Sequence, residues 1–296
     1  MNINNYIKRK ISILIKKLGY DLKGIKKKVS HNDFDAIINF LLKDKKKHIY
    51  FDIGAYEGQS IKRFKKINPQ SNIHSFEPTP ALYRKLVKNF NQDKSIKINN
   101  LGVADIKSKL DFHTYKYHTV NSFVPVDSKS KFHKARILTA KLNPTDTKIS
   151  RDFGKEEFAK VVKVDVTNID SYCEENNISE IDFIKIDTQG SESKILLGME
   201  KMLSNENVSI IELELILGFG YEKNFSIYDY EKILNNKNYK LIAINNSGNV
   251  ISFSNYQTDL LYVKNEIFEN IRNLHESNIG IKGVTKKTDE SNPFSY

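Results

Sequence analysis

Apolar residues in this chain arrive in short runs separated by stretches of helical spacing. Runs rich in Ile, Val, Phe and Tyr fall at 48–53, 72–76, 96–101, 109–115, 161–166, 181–187, 208–214, 239–244 and 258–263, each of strand length. Amphipathic segments at 58–67, 79–90, 168–176, 191–203 and 226–236 lie between them, and 31–43 adds another helical pattern. Such alternation predicts βαβ units, a doubly wound, mostly parallel sheet and an α/β fold. Residues 116–160 break the pattern. They are rich in Lys, Ser, Thr and Asn, contain Pro125 and Pro144, and are expected to form an insertion or lid. The expected organisation is an N-terminal helical extension at 1–47, a main domain at 48–264 and a C-terminal tail at 265–296, polar and loosely held from about residue 270.

Charge singles out the first of these parts. The chain carries a formal +11, and residues 1–28 hold nine Lys/Arg against one acid, Asp21. Ile3, Ile7, Ile11, Leu14 and Leu18 recur there at helical spacing, which predicts a basic amphipathic helix ending near Gly19. Two coverings suit its apolar stripe. One is protein, either its own domain or a second copy in a homo-oligomer. The other is an anionic membrane surface, reached peripherally. Docking on protein is the expectation. Nucleic acid is not an expected partner, because the segment has one aromatic residue, Tyr6, and no stacking platform follows. The single Cys173 excludes a disulfide framework and a Cys-based zinc site. The chain has no apolar run long enough for a membrane span and no cleavable signal pattern, so a cytoplasmic protein is expected.

Candidate chemistry sits where the strands end. In a doubly wound sheet, ligands bind outside the carboxyl ends of the strands. The first run ends in Asp52-Ile53-Gly54-Ala55-Tyr56-Glu57-Gly58, the second in Glu77-Pro78, and the third leads to Asp105. The run at 181–187 ends in Asp187-Thr188-Gln189-Gly190-Ser191-Glu192, and the next carries Glu212 and Glu214. Five successive edges thus offer carboxylates, more than helix capping explains. A negative crevice suits a cation or a ligand rich in hydroxyls. The first loop is neither of the familiar glycine-rich phosphate patterns, and its acids would repel a phosphate. That disfavours a nicotinamide dinucleotide. A sulfonium nucleoside without phosphates, S-adenosylmethionine, fits better.

The segments "FDIGAYEGQS", "IHSFEPTPALYRKLVKN", "INNLGVAD", "VDVTNIDSYCEENNISEIDFIKIDTQGSESKILLGMEKML" and "IIELEL" resemble the FkbM-type S-adenosylmethionine-dependent methyltransferases over about residues 48–264. The resemblance implies a Rossmann-like class I methyltransferase fold and, for most members, methylation of oxygen. Many members act on sugars of surface glycans and others on natural products. Gln189 departs from the pattern, where the family usually has Glu.

The role of each residue follows from this. Asp52, Gly54 and Gly58 are expected around the methionine part of the cofactor, and Tyr56 either on the cofactor or merely on the sheet. Glu77 is expected on the ribose hydroxyls with Pro78 beside it, and Asp105 either on the adenine amino group or, equally, as a turn acid before 109–115. Asp187 lies nearest the expected methyl position and is the first candidate for general base and cofactor contact. His118 in the insertion and Glu212 are the other catalytic candidates, with His113 and His133 weaker ones. Glu192 is as well explained as a helix-terminal acid. Glu212 and Glu214 share one strand face and could bind substrate hydroxyls or, with Asp187, a divalent cation. No spacing demands a metal, and none is expected. The leading expectation is a sugar O-methyltransferase. A natural-product methyltransferase and a binding module that kept the fold are the alternatives.

Overall fold

A computed structural model of the chain describes residues 32–115, 121–127, 160–216, 226–245 and 257–279. The basic leader at 1–28, most of the expected lid and the last residues of the tail lie outside the described residues. The elements, in order, are α1 (Asn32–Leu41), β1 (Ile49–Ile53), α2 (Gln59–Ile67), β2 (Asn72–Phe76), α3 (Pro80–Phe90), β3 (Ile96–Asn99), β4 (Gly102–Val103), β5 (Ser108–Thr114) and β6 (Lys160–Thr167). There follow α4 (Ile169–Glu175), β7 (Ile181–Ile186), α5 (Glu192–Leu197), α6 (Glu200–Ser204), β8 (Val208–Ile216), α7 (Ile227–Leu234), β9 (Tyr239–Asn245), β10 (Gln257–Lys264) and α8 (Asn265–Ile279).

Seven strands form one sheet in the order β3-β2-β1-β7-β8-β10-β9. β3, β2, β1, β7 and β8 run parallel, and β10 is antiparallel to both β8 and β9. The chain winds outward from β1 to β3, then returns to lay β7 against the other side of β1. This is the Rossmann-like arrangement of class I methyltransferases, and the reversal between β1 and β7 opens a crevice at their carboxyl ends. A smaller sheet, β4-β6-β5, stands beside it.

The central strands are buried on both faces, as parallel strands flanked by helices must be. Phe51, Ile53, Ile184, Ile186, Ile211 and Leu213 pack on one side, in a core shared with α4 to α7. Tyr50, Ile73, Phe183, Ile210 and Leu261 pack on the other, with Phe34 and Ile38 of α1, Ile61 and Phe64 of α2 and Leu86 of α3. Toward the carboxyl edge the second face changes character. Strand period two puts Asp52 after Tyr50, Lys185 after Phe183, and Glu212 and Glu214 after Ile210. Pairing register sets Ser75, Asp52, Lys185 and Glu212 side by side across four strands. Asp259 of β10 stands opposite Glu214.

Three details differ from the expectation. The helix expected at 191–203 is two helices, broken at Gly198 and Met199. A Cβ on Gly198 would lie 2.2 Å from the Ala104 carbonyl oxygen, and Asp170 caps the second piece through the Lys201 and Met202 amides at 2.8 and 3.0 Å. The two-residue β4 is too short to leave a pattern. The segment expected as a tail begins as a helix, α8, whose Ile267 and Phe268 pack on the second core.

Arg63 of α2 ties three elements together. Its Nη atoms reach both oxygens of Glu212 at 2.7 and 2.8 Å, and its Nε reaches Asp35 of α1 at 2.5 Å. Glu212 is 2% exposed, so removing the fork strands a buried charge. Arg63→Met is expected to lower unfolding free energy by roughly 3 kcal/mol or more. Arg63→Met with Glu212→Gln should recover most of that loss in denaturant titrations.

Candidate functional site

The β1 carboxyl end turns sharply. Gly54 has φ +92°, and a Cβ there would lie 1.9 Å from the Asp187 carbonyl oxygen, so the β1 and β7 loops approach too closely for any side chain. Tyr56 is also left-handed, at φ 50°. Its amide donates to Glu77 Oε2 at 2.9 Å, and the Thr79 amide donates to Oε1 at 2.8 Å. Glu77 therefore fixes both the turn after β1 and the entry to α3. Burial, chiefly, raises its pKa, while these hydrogen bonds pull the other way.

A cavity of about 280 Å³ opens at this point. Gly54, Tyr56, Glu77 and Pro78 line it from the ends of β1 and β2, and Asp187, Thr188, Gln189 and Glu214 from the end of β7 and from β8. Leu101, Val103, Phe112 and Phe123 give it an apolar wall. The Phe112 and Phe123 rings meet edge to face at 4.9 Å. A Cβ on Gly102 would come within 2.4 Å of the Phe123 ring, which keeps this wall narrow. Residues 121–124 strap the cavity from both rims. Asn121 Nδ2 donates to Thr79 Oγ1 at 3.2 Å on one side, and Ser122 Oγ to the Gln189 carbonyl at 2.8 Å on the other.

A second cavity, about 520 Å³, lies on the charged face of the sheet. Most of its lining residues are polar or charged, among them Gln59, Ser60, Arg63, Lys185, Glu212, Asn245, Thr258 and Asp259. The walls of both cavities share Gly54, Tyr56, Asp187 and Glu214. Lys185 Nζ donates to Asp187 Oδ2 at 2.6 Å. Burial works against the ammonium, but Asp187, Glu212 and Asp52 outweigh it and raise its pKa. Burial would likewise raise Asp187, and Lys185 reverses that, holding it below the ordinary carboxylate value.

The expected residues fall into three groups. Gly54, Tyr56, Glu77, Pro78 and Asp187 come together around the first cavity. Glu212 lines the second, in the Arg63 fork. Asp52, Gly58 and Asp105 line neither. Asp52 is fully buried, accepting from Ser75 Oγ at 3.2 Å, and its Oδ1 has no hydrogen-bond partner among the described residues. Gly58 is left-handed and faces the Phe90 ring, where a Cβ would lie at 2.5 Å. Asp105 is exposed after β4. His118 and His133 lie outside the described residues, and His113 exchanges backbone hydrogen bonds with Ser122. Glu192 clasps its own loop, accepting from the Thr188 amide at 2.9 Å and the Gly190 amide at 3.0 Å.

Sequence reasoning missed Lys185, Arg63 and Phe123. A signal existed for Lys185, an isolated cation in the run Ile181–Ile186 two residues before Asp187. Arg63 and Phe123 left none, because a helical Arg and a loop Phe are ordinary. Among the described residues, no cluster of three His, Cys, Asp or Glu stands ready to hold a metal ion, and no helix is long and apolar enough to cross a membrane.

The sequence profile of a family described as "Methyltransferase FkbM domain" matches residues 52–241. The chain is 25% identical over 205 residues to the 2-O-methyltransferase NoeI of Sinorhizobium fredii, covering 69% of this chain and 79% of that protein. It is also similar in structure to an rRNA methylase from Streptococcus thermophilus, with TM-score 0.42, 8% identity, and 81% and 98% of the two chains covered. Aeropyrum pernix fibrillarin with natively bound S-adenosyl-L-methionine gives TM-score 0.37 at 10% identity, covering 74% of this chain and 67% of that one.

Asp52 makes a pH prediction. Burial pushes its pKa up to about 6 from 3.8, against the pull of Lys185. Between those values the folded protein binds a proton that the unfolded chain releases, so this group's contribution to stability falls as pH rises. Asp52→Asn removes the effect. The variant should gain on wild type by up to ~3 kcal/mol as pH rises across that window. Melting curves at several pH values measure this, and a pH-independent difference would refute it.

Proposed function

The chain belongs to the FkbM methyltransferase family and is an S-adenosylmethionine-dependent methyltransferase, and we propose that it methylates a hydroxyl oxygen of a sugar or similar polyol. The observation that carries this reading is a second cavity, lined mostly by polar and charged residues, meeting the first at Asp187 and Glu214. Gln59 and Ser60 on one side and Asn245, Thr258 and Asp259 on the other put polar groups around it, which suits a ligand with many hydroxyls. A relative named as a 2-O-methyltransferase supports oxygen as the acceptor atom.

The first cavity fits the cofactor, which supplies a methyl group on a cationic sulfur. Each Glu77 oxygen accepts one backbone N–H, leaving lone pairs for a ribose diol. Leu101, Val103, Phe112 and Phe123 suit a flat adenine, and we assign that end to them rather than to Asp105. Acids at the junction of the cavities favour a sulfonium. Asp52 belongs beneath the site, in the row that holds Lys185.

The remaining work is alignment, exclusion of water and removal of one proton. Asp187 is our candidate base, because Lys185 keeps it ionised and it borders both cavities. Glu212, occupied by Arg63, serves the wall of the acceptor cavity.

Two experiments test this reading. Glu77→Gln should weaken S-adenosylmethionine binding at least about tenfold by calorimetry, since a charge-assisted hydrogen bond is worth roughly 1.5–3 kcal/mol. Unchanged affinity would move the ribose elsewhere. Mass spectrometry of glycans from a strain lacking the protein should show one O-methyl group lost. A lost methyl on nitrogen, carbon or sulfur instead would overturn the choice of acceptor.

A further inference from the structure

We propose that Asp187 and Glu214 act as a carboxyl pair sharing one proton, that the amide of Gln189 holds them together, and that the pair receives the proton of the acceptor hydroxyl. The last clause rests on the function proposed above; the pair itself does not.

The geometry is specific. Gln189 Nε2 lies 2.6 Å from Glu214 Oε2 and 3.2 Å from Asp187 Oδ1, so one amide nitrogen can give a hydrogen to each carboxyl. The two carboxyl groups converge on that one nitrogen, and two buried carboxyls so placed do not both ionise readily. Lys185 holds the other Asp187 oxygen at 2.6 Å. That contact decides where the proton rests: Asp187 is ionised and Glu214 protonated. Burial first, and the Asp187 charge next, raise Glu214 well above the ordinary carboxylate range. Asp187 and Glu214 are also the two titratable carboxyls common to both cavity walls.

The loop is built to keep this arrangement. Gln189 is left-handed at φ 58° and Gly190 at φ 102°. Glu192 clasps the loop through the Thr188 and Gly190 amides, and Ser122 bonds the Gln189 carbonyl. A side chain held in a sparsely populated backbone conformation by its surroundings marks a position whose geometry matters. A third carboxylate here in place of Gln189 would remove the donor and repel both acids. Among the described residues, the other charged and titratable groups around the pair are Asp52 on β1, Tyr56 in the loop after β1, Arg63 on α2, Glu77 after β2, Glu192 on α5, Glu212 on β8, Tyr230 on α7 and Asp259 on β10. Arg63 neutralises Glu212, and Lys185 faces Asp52.

A shared proton keeps the buried charge balanced through the reaction. At the start the pair carries one negative charge beside a sulfonium. The acceptor oxygen forms its bond to the methyl carbon and yields its proton to Asp187. The carbon–sulfur bond breaks with its electrons going to sulfur, leaving a neutral thioether. Both carboxyls are then protonated and the sulfur is neutral, so the net charge of the site is unchanged across the step. The extra proton leaves to solvent before the next turnover. Glu214 and Gln189 are thus positioning residues for Asp187.

Carboxyl-carbon NMR on the full chain, labelled in Asp and Glu and titrated with pH, tests the pair without an acceptor. Glu214→Gln assigns the signal. In wild type that signal should still report a protonated carboxyl near neutrality. Asp187→Asn should lower its midpoint by at least about one pH unit, and Gln189→Glu should raise it. A Glu214 signal titrating in the ordinary carboxylate range of wild type overturns the proposal, as does one unmoved by Asp187→Asn. The wild-type titration decides even where a variant folds poorly. If the pair titrates as expected but the methylated atom is not a hydroxyl oxygen, the function proposed above fails and the pair stands.

Discussion

The Lys185 ammonium is the point on which the site depends. It sits among buried groups at the carboxyl edge of the sheet, in register with Asp52 and Glu212, and donates to Asp187. Removing an ammonium from water costs several kcal/mol, and only close carboxylates repay that. Three surround it, so the charge survives burial and fixes which acids are ionised. Asp187 is held charged, Glu214 is left to keep its proton, and Arg63 answers the remaining charge on Glu212. Without the cation, the converging acids would repel one another.

The same face explains how one fold holds two unlike cavities. Near the amino ends of its strands this face is apolar and covered by α1, α2 and α3. Near the carboxyl ends the same rows turn polar and line the second cavity. The first cavity lies toward β2 and β4 and borrows its apolar wall from the small sheet and the strap at 121–124. Gly54 lets the β1 and β7 loops meet, so the two cavities adjoin at a shared rim rather than across a side chain. Methyl transfer needs donor and acceptor in line at close range, and a rim of this kind suits the function we propose.

Hydrogen bonding within the β7 loop gives that rim its rigidity. Glu192, which the sequence explains equally well as a helix-terminal acid, satisfies the Thr188 and Gly190 amides of its own loop. Tyr230 reaches both Glu192 and the Glu214 carbonyl at 3.4 Å, joining α7 to the loop and to β8. Site residues held by such partners spend little free energy on ordering when a ligand arrives.

Periodicity along the sequence by itself determined the strands, most helices, the parallel sheet and the strand-end acids, because these follow from local apolar spacing and from chain direction. It also marked Glu77 and Asp187, which stand at predicted strand ends. Local pattern does not register what depends on distant partners. Nothing near Glu212 in sequence reveals the Arg63 fork, 149 positions away. Gly58 reads like Gly54, yet Gly58 serves the Phe90 ring and Gly54 the Asp187 carbonyl. Asp52 and Glu214 look alike as buried acids on one face. Tertiary structure alone separates them, since the protonation of a buried carboxyl is decided by the charges packed against it, and those come from strands that meet only when the sheet forms.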